Sequence, residues 1–142
     1  MGLYTGGIDR MNETISSPEE LWEEQNRTMK IVQNNIWMTQ FHRLAAYIHN
    51  WAKDKGFWDK ERSDGELIAL CHSELSEALE ALRHKNQPDE HCPEFSSVEV
   101  ELADLLIRVM DMAHARKWRV AEALIAKMAY NETRLYKHGK QF

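Results

Sequence analysis

Cysteine, proline and glycine are all scarce in this 142-residue chain, at two, three and six residues. Two cysteines, Cys71 and Cys92, cannot supply the disulfide framework of a small secreted domain. Without an apolar N-terminal signal segment, they point to a reducing, cytoplasmic setting. No apolar run approaches the roughly 20 residues that a spanning helix needs, so no membrane is expected. Nor does the chain show alternating strand patterns, internal repeats, low-complexity tracts, a glycine-rich phosphate loop or a serine or cysteine nucleophile context. A net charge of −5 argues against a nucleic-acid backbone as the main partner.

What is present, 43% hydrophobic and 29% charged residues, describes one compact helical domain. A chain of this length can bury about two thirds of the surface it exposes when unfolded. Residues 1–35 form an N-terminal extension: the glycine-bearing residues 1–16 lack periodicity and read as a mobile terminus. Ser17-Pro18-Glu19-Glu20 then opens a helix, with serine at the N-cap, proline at N1 and acids in the first turn. This helix is predicted to run to about Gln33, where Asn34 and Asn35 weaken it, or else to continue into the next.

The core domain, residues 36–142, is predicted to be an all-α bundle of about four helices. The first, 36–55, carries Trp37, Phe41, Leu44, Ala45, Ile48 and Ala52 on one stripe, with Tyr47 and Trp51 at its edge. Gly56 ends it. Ser63-Asp64-Gly65-Glu66 is a capping box for the second, 64–85. A loop with Pro88 and Pro93 leads to Ser96-Ser97-Val98-Glu99, which caps the third, 97–116, and the fourth runs from Val120 to Tyr136 and closes at Gly139.

Two acid pairs stand out: Glu74-Leu-Ser-Glu77 on the second helix and Glu101-Leu-Ala-Asp104 on the third. A spacing of i, i+3 puts both members of a pair on one helix face, so two such helices side by side can converge four carboxylates. Four hard oxygen donors suit Mg²⁺, with Mn²⁺ as a substitute, whereas four carboxylates without a cation repel one another. The competing reading is a set of solvated helix acids. A helical wheel weighs against it. On the second helix the main apolar stripe is Ile68, Cys71, Leu75, Ala78, Leu79 and Leu82; Glu74 and Glu77 lie roughly opposite, bracketed by Leu70 and Ala81, and the wet sector of Ser73, Ser76, Glu80 and Arg83 lies elsewhere. The third is apolar nearly all round except for Glu101, Asp104, Arg108 and Asp111, which predicts a buried helix, covered in part by a second subunit.

The last 27 residues, from Arg116, hold seven Lys/Arg against two acids. Within them Lys127, Asn131 and Arg134 share one face at i, i+4, i+7, and Tyr136 to Lys140 adds further basic residues. Such a face binds phosphate oxygens or simply complements a helix C-terminus. Trp51, Phe57 and Trp58 are candidates to stack on a base, or else pack in the core. Asp111 and His114 extend the acidic stripe, either as ligands or to hold Arg108. Cys71-His72 and His91-Cys92 lack zinc spacing, and neither acid helix has the Glu-x-x-His of a di-iron bundle.

Taken in order, Glu74-x-x-Glu77, a gap of 23 residues, Glu101-x-x-Asp104 and Lys127-x-x-x-Asn131-x-x-Arg134 resemble the MazG-type nucleotide pyrophosphohydrolases of the all-α NTP pyrophosphatase group. The resemblance covers residues 36–142. It implies hydrolysis of a nucleoside triphosphate, often a deoxynucleotide, to the monophosphate and pyrophosphate. It further implies Mg²⁺ on Glu74, Glu77, Glu101 and Asp104, phosphate contacts from Lys127, Asn131 and Arg134, and a base pocket near Trp51 and Trp58. Homodimers or dimers of dimers are usual in the group. The chain departs from some members at Ser73, where they have a glutamate proposed to activate water; Glu74, Glu77 or the metal itself is left for that role. Two other functions fit the same residues: a nucleotide-binding regulator without turnover, and a structural helical oligomer whose acids form ion pairs, such as Arg108 with Asp104 or Asp111.

Overall fold

The computed structural model describes residues 17–134. Among them are four helices, α1 (Pro18–Asp54), α2 (Asp64–Arg83), α3 (Ser97–Arg116) and α4 (Val120–Glu132), and no strand. None is long and apolar enough to cross a membrane. The expected terminus 1–16 and the basic run Tyr136 to Lys140 lie outside the described residues. By its internal contacts the chain falls into two units, Met1–Gln33 and Asn34–Phe142.

In the first unit the predicted helix start is present. The Ser17 N–H donates to the Glu20 carboxylate at 2.6 Å, and the Glu20 N–H donates to Ser17 Oγ at 3.2 Å. Leu21, Trp22, Met29, Ile31 and Val32 are all exposed. Of the two readings at Asn34 and Asn35 the continuous one holds, and α1 runs unbroken to Asp54. Neither Gly nor Pro interrupts residues 19–54, and two asparagines cost at most about 0.7 kcal/mol each in a helix interior.

In the second unit, α2 and α3 pack antiparallel, as the pairings of Asp64 with Arg116 and of Glu74 with Arg108 require. The turn before α2 needs Gly56: its φ is +80°, and a Cβ there would come within 3.0 Å of the Asp59 carboxylate. Ser63 and Glu66 close the expected capping box on α2. The N–H and hydroxyl of Ser96 both donate to Glu99 at the head of α3. α2 stops at Arg83, two residues short of expectation, because Lys85 and Asn86 turn to positive φ. The following loop is anchored: Asn86 Oδ1 accepts from the Val98 N–H at 3.0 Å, and the Ser97 N–H donates to the Gln87 carbonyl at 2.9 Å. These bonds set the C-terminal half of α2 beside the start of α3, where the acid pairs stand.

The packing corrects the expected inward face of α2. On α2 the buried residues are Leu67, Cys71, Glu74 and Ala78, while Ile68, Leu75, Leu79 and Leu82 are 43–56% exposed. The buried stripe therefore lies roughly 90° around the helix from the row of larger side chains. On α3 the buried residues are Met112 and Ala113, and Leu102 and Leu106 are exposed at 44% and 57%, so this helix is not covered within one chain. The core joins Leu67, Cys71 and Met112, with Trp58, Leu105 and Val109 against them. From α1 it adds Ala45, Ile48 and Ala52, three of the six residues expected on its stripe; Leu44 is 48% exposed. α4 ends at Glu132, before Arg134.

Candidate metal centre

Facing acids on α2 and α3 converge. One carboxylate oxygen each from Glu74, Glu77 and Glu101 lies within 4.8 Å of the other two. Asp104, one turn beyond Glu101, stands outside this trio. Glu74 is only 4% exposed, Glu101 is half-buried and Glu77 is exposed. Burial pushes the Glu101 carboxyl above its ordinary value, and the charges of Glu77, Glu74 and Asp104 push it further. Burial and Glu74 do the same to Asp104, partly offset by Arg108. Carboxylates that resist ionisation together are what a divalent cation relieves, and an all-oxygen donor set fits Mg²⁺ or Mn²⁺. Zinc is not favoured: burial raises the Cys71 thiol, and Cys71, His72, His91 and Cys92 join no such cluster among the described residues.

One cation already reaches the trio. Arg108 Nε donates to Glu74 Oε1 in a very short contact, where the sequence suggested Asp104 or Asp111 as its partner. The same Arg108, with Asp104, enters the wall of a cavity of about 250 Å³. Trp51, Phe57 and Trp58 line its aromatic side, and Ile107, Arg62 and Asp111 are among the other residues in its wall. Both tryptophans suggested for the base thus meet one cavity beside the acids. Trp58 also touches the core, whereas Trp51 is 44% exposed and lies 6.3 Å from Phe57, ring to ring.

Asp111 has a role the sequence left open. It accepts from the Trp58 indole N–H on both oxygens, at 3.1 and 3.0 Å, and pairs with His49 Nδ1 at 2.7 Å. The His114 ring lies 5.1 Å from His49. Arg116 passes 5.8 Å over the Trp58 ring and donates to Asp64 and to the Arg62 carbonyl. Trp58 is therefore held by α1 and α3 together. The sequence signal for Asp111 was its place on the only polar stripe of α3; His49 carried none, since its partner is 62 residues away.

The basic face of α4 is not brought to the acids. Lys127, Asn131 and Arg134 are exposed, with Lys127 Nζ 4.8 Å and the Arg134 guanidinium 5.8 Å from the Tyr130 ring centre. Among the described residues, no hydrogen bond or ion pair joins these three to Glu74, Glu77, Glu101 or Asp104. Ser73 turns its hydroxyl to the Leu70 carbonyl at 3.0 Å. No family model matches the chain, and neither a curated protein nor a solved structure matches it significantly.

Proposed function

We propose that the protein hydrolyses nucleoside triphosphates, deoxynucleotides among them, to the monophosphate and pyrophosphate with Mg²⁺, for which Mn²⁺ can substitute. The observation that carries this reading is the convergence of Glu74, Glu77 and Glu101 on one point beside an aromatic cavity with Asp104 and Arg108 in its wall. Glu74, Glu77 and Glu101 hold the metal, with Asp104 beside them. When bound, Mg²⁺ offsets phosphate charge and acidifies water. The base stacks against Trp51 and Trp58, so the triphosphate extends toward Asp104 and Arg108. Water attacks the α-phosphorus, the bond to the bridging oxygen of the β-phosphate breaks, and pyrophosphate leaves. With Glu74 tied to Arg108, the exposed Glu77 is the member best placed to take the proton of that water.

A homodimer or dimer of dimers is part of this proposal. Ile68, Leu75, Leu79 and Leu82 of α2, with Leu102 and Leu106 of α3, expose more large apolar side chains than a lone small domain usually leaves in water. A second copy covers them, and its C-terminal segment is the proposed source of Lys127, Asn131 and Arg134 for the triphosphate.

The Glu74–Arg108 ion pair favours a second reading, a structural oligomer whose acids are paired rather than metal-bound. Incubation with a panel of nucleoside triphosphates and Mg²⁺ separates the possibilities. Pyrophosphate release supports the enzyme, binding without release a regulator, and neither the structural oligomer.

A further inference from the structure

We infer that Arg108 exchanges partners: it neutralises Glu74 while the acids hold no cation, and turns to a phosphoryl oxygen of the ligand in the adjoining cavity once Glu74 takes a metal. The inference rests on the function proposed above but assigns a residue that the acid and basic motifs leave out.

Three observations carry it. Glu74 is a charged group at 4% exposure, and a carboxylate so placed requires a counter-charge, which Arg108 supplies through Nε. A cation on the trio takes the same carboxylate. Two positive groups sharing one carboxylate repel strongly where water is scarce, so occupancy by one disfavours the other. Arg108 also has somewhere to go: its side chain is 35% exposed and lines the cavity with Asp104, one turn away on the same helix face. Its Nη donors, a planar fork suited to phosphate, are not used on Glu74. Since Lys127 and Arg134 contact Tyr130 rather than this site, Arg108 is, among the described residues, the cation that meets both the acids and the cavity.

Partner exchange has a signature that a purely structural ion pair lacks, because removing Arg108 then moves two affinities in opposite directions. The full chain is compared as wild type, Arg108→Gln, which keeps a neutral donor for Glu74, and Arg108→Lys, which keeps the charge without the fork. Free Mn²⁺ is read by electron paramagnetic resonance. In saturating Mn²⁺, binding of α,β-imido deoxynucleoside triphosphates is read by tryptophan fluorescence. Arg108→Gln is expected to bind Mn²⁺ about tenfold more tightly, the size of an ordinary coupling between sites. It should bind the imido nucleotides about ten- to a hundredfold more weakly, as loss of a charged hydrogen bond implies. Arg108→Lys should hold Mn²⁺ like the wild type and lose part of the nucleotide affinity. If Arg108→Gln does not fold, as judged by circular dichroism, the lysine variant decides: undiminished nucleotide binding there overturns the inference. Weaker or unchanged Mn²⁺ binding by a folded Arg108→Gln overturns the exchange while leaving the metal centre intact. A wild type that binds no Mn²⁺ removes the metal centre, and the exchange with it.

Discussion

Trp58 and Asp111 are 53 residues apart, yet the indole N–H of one lies between the two carboxylate oxygens of the other, at 3.1 and 3.0 Å. The pair ties the turn after α1 to the C-terminal half of α3 and fixes an aromatic ring in the cavity wall. His49, against the same carboxylate, adds the body of α1.

Asp111→Ala removes the acceptor from both donors and leaves a half-buried indole N–H unpaired. The expected cost is about 1–3 kcal/mol of stability, the range for orphaning a buried donor. Asp111→Asn keeps one acceptor oxygen and should lose less. Urea unfolding measures both, and equal stability of all three proteins would mean that the clamp contributes nothing.

Glu77 is exposed, so Glu77→Gln should fold like the wild type. If it takes the proton from water, turnover should fall by about 10²- to 10⁴-fold, the usual contribution of a general base. Circular dichroism with steady-state pyrophosphate release tests this; wild-type kcat would remove Glu77 from the site.

Stability should depend on pH through Glu101 in a direction opposite to that of a salt-bridged acid. Its carboxyl is raised by burial and by acidic neighbours, so the folded chain binds its proton more tightly than the unfolded chain does. The folded state therefore loses stability as pH rises from the ordinary carboxyl range through the raised value, and the full penalty persists above it. Metal-free Glu101→Gln should then be more stable than the wild type at neutral pH, with the advantage vanishing as pH falls below the ordinary carboxyl range. The helix-capping Glu66 and Glu99, whose values are lowered by their serine partners, are common to both proteins and cancel in the difference. Added Mg²⁺ should reverse the ranking by stabilising the wild type, by about 2.7 kcal/mol at a hundred times its Kd. Parallel pH profiles without metal would show that the acids do not strain the fold.

If a second copy covers the exposed row on α2, Leu79→Glu should yield a monomer, because a carboxylate in an apolar contact must pay for its desolvation or take up a proton. Ile107, by contrast, lines the cavity and is half-buried, so Ile107→Glu should impair nucleotide binding before it impairs assembly. Sedimentation of the two variants distinguishes the faces, and a wild type that is itself monomeric would contradict the dimer.

Local chemistry was the most legible part of the chain. The serine-to-glutamate caps at Ser17, Ser63 and Ser96 and the turn at Gly56 follow from bonds between residues three or fewer apart, and each is present. Of the four carboxylates expected to converge, three, Glu74, Glu77 and Glu101, were legible because the i, i+3 rule fixes helix faces, whereas Asp104 stands outside the trio. Which face of α2 turns inward was not. Its apolar residues span a wide arc, and the larger row, Leu75, Leu79 and Leu82, lies outside in one chain while the smaller Cys71 and Ala78 sit inside, where α3 approaches closely. The Arg108–Glu74 pairing was hidden for a similar reason. Sequence spacing offers Asp104 and Asp111 on the same helix, whereas the chosen partner depends on the register between two helices.

Phosphorus NMR of a deoxynucleoside triphosphate panel, with Mg²⁺ and with the metal chelated, tests the central claim most directly. At least one triphosphate should be converted to the monophosphate and pyrophosphate with Mg²⁺ alone, and Glu77→Gln should slow that conversion by about a hundredfold or more. No consumption of any triphosphate, or products that are the diphosphate and orthophosphate, would contradict it.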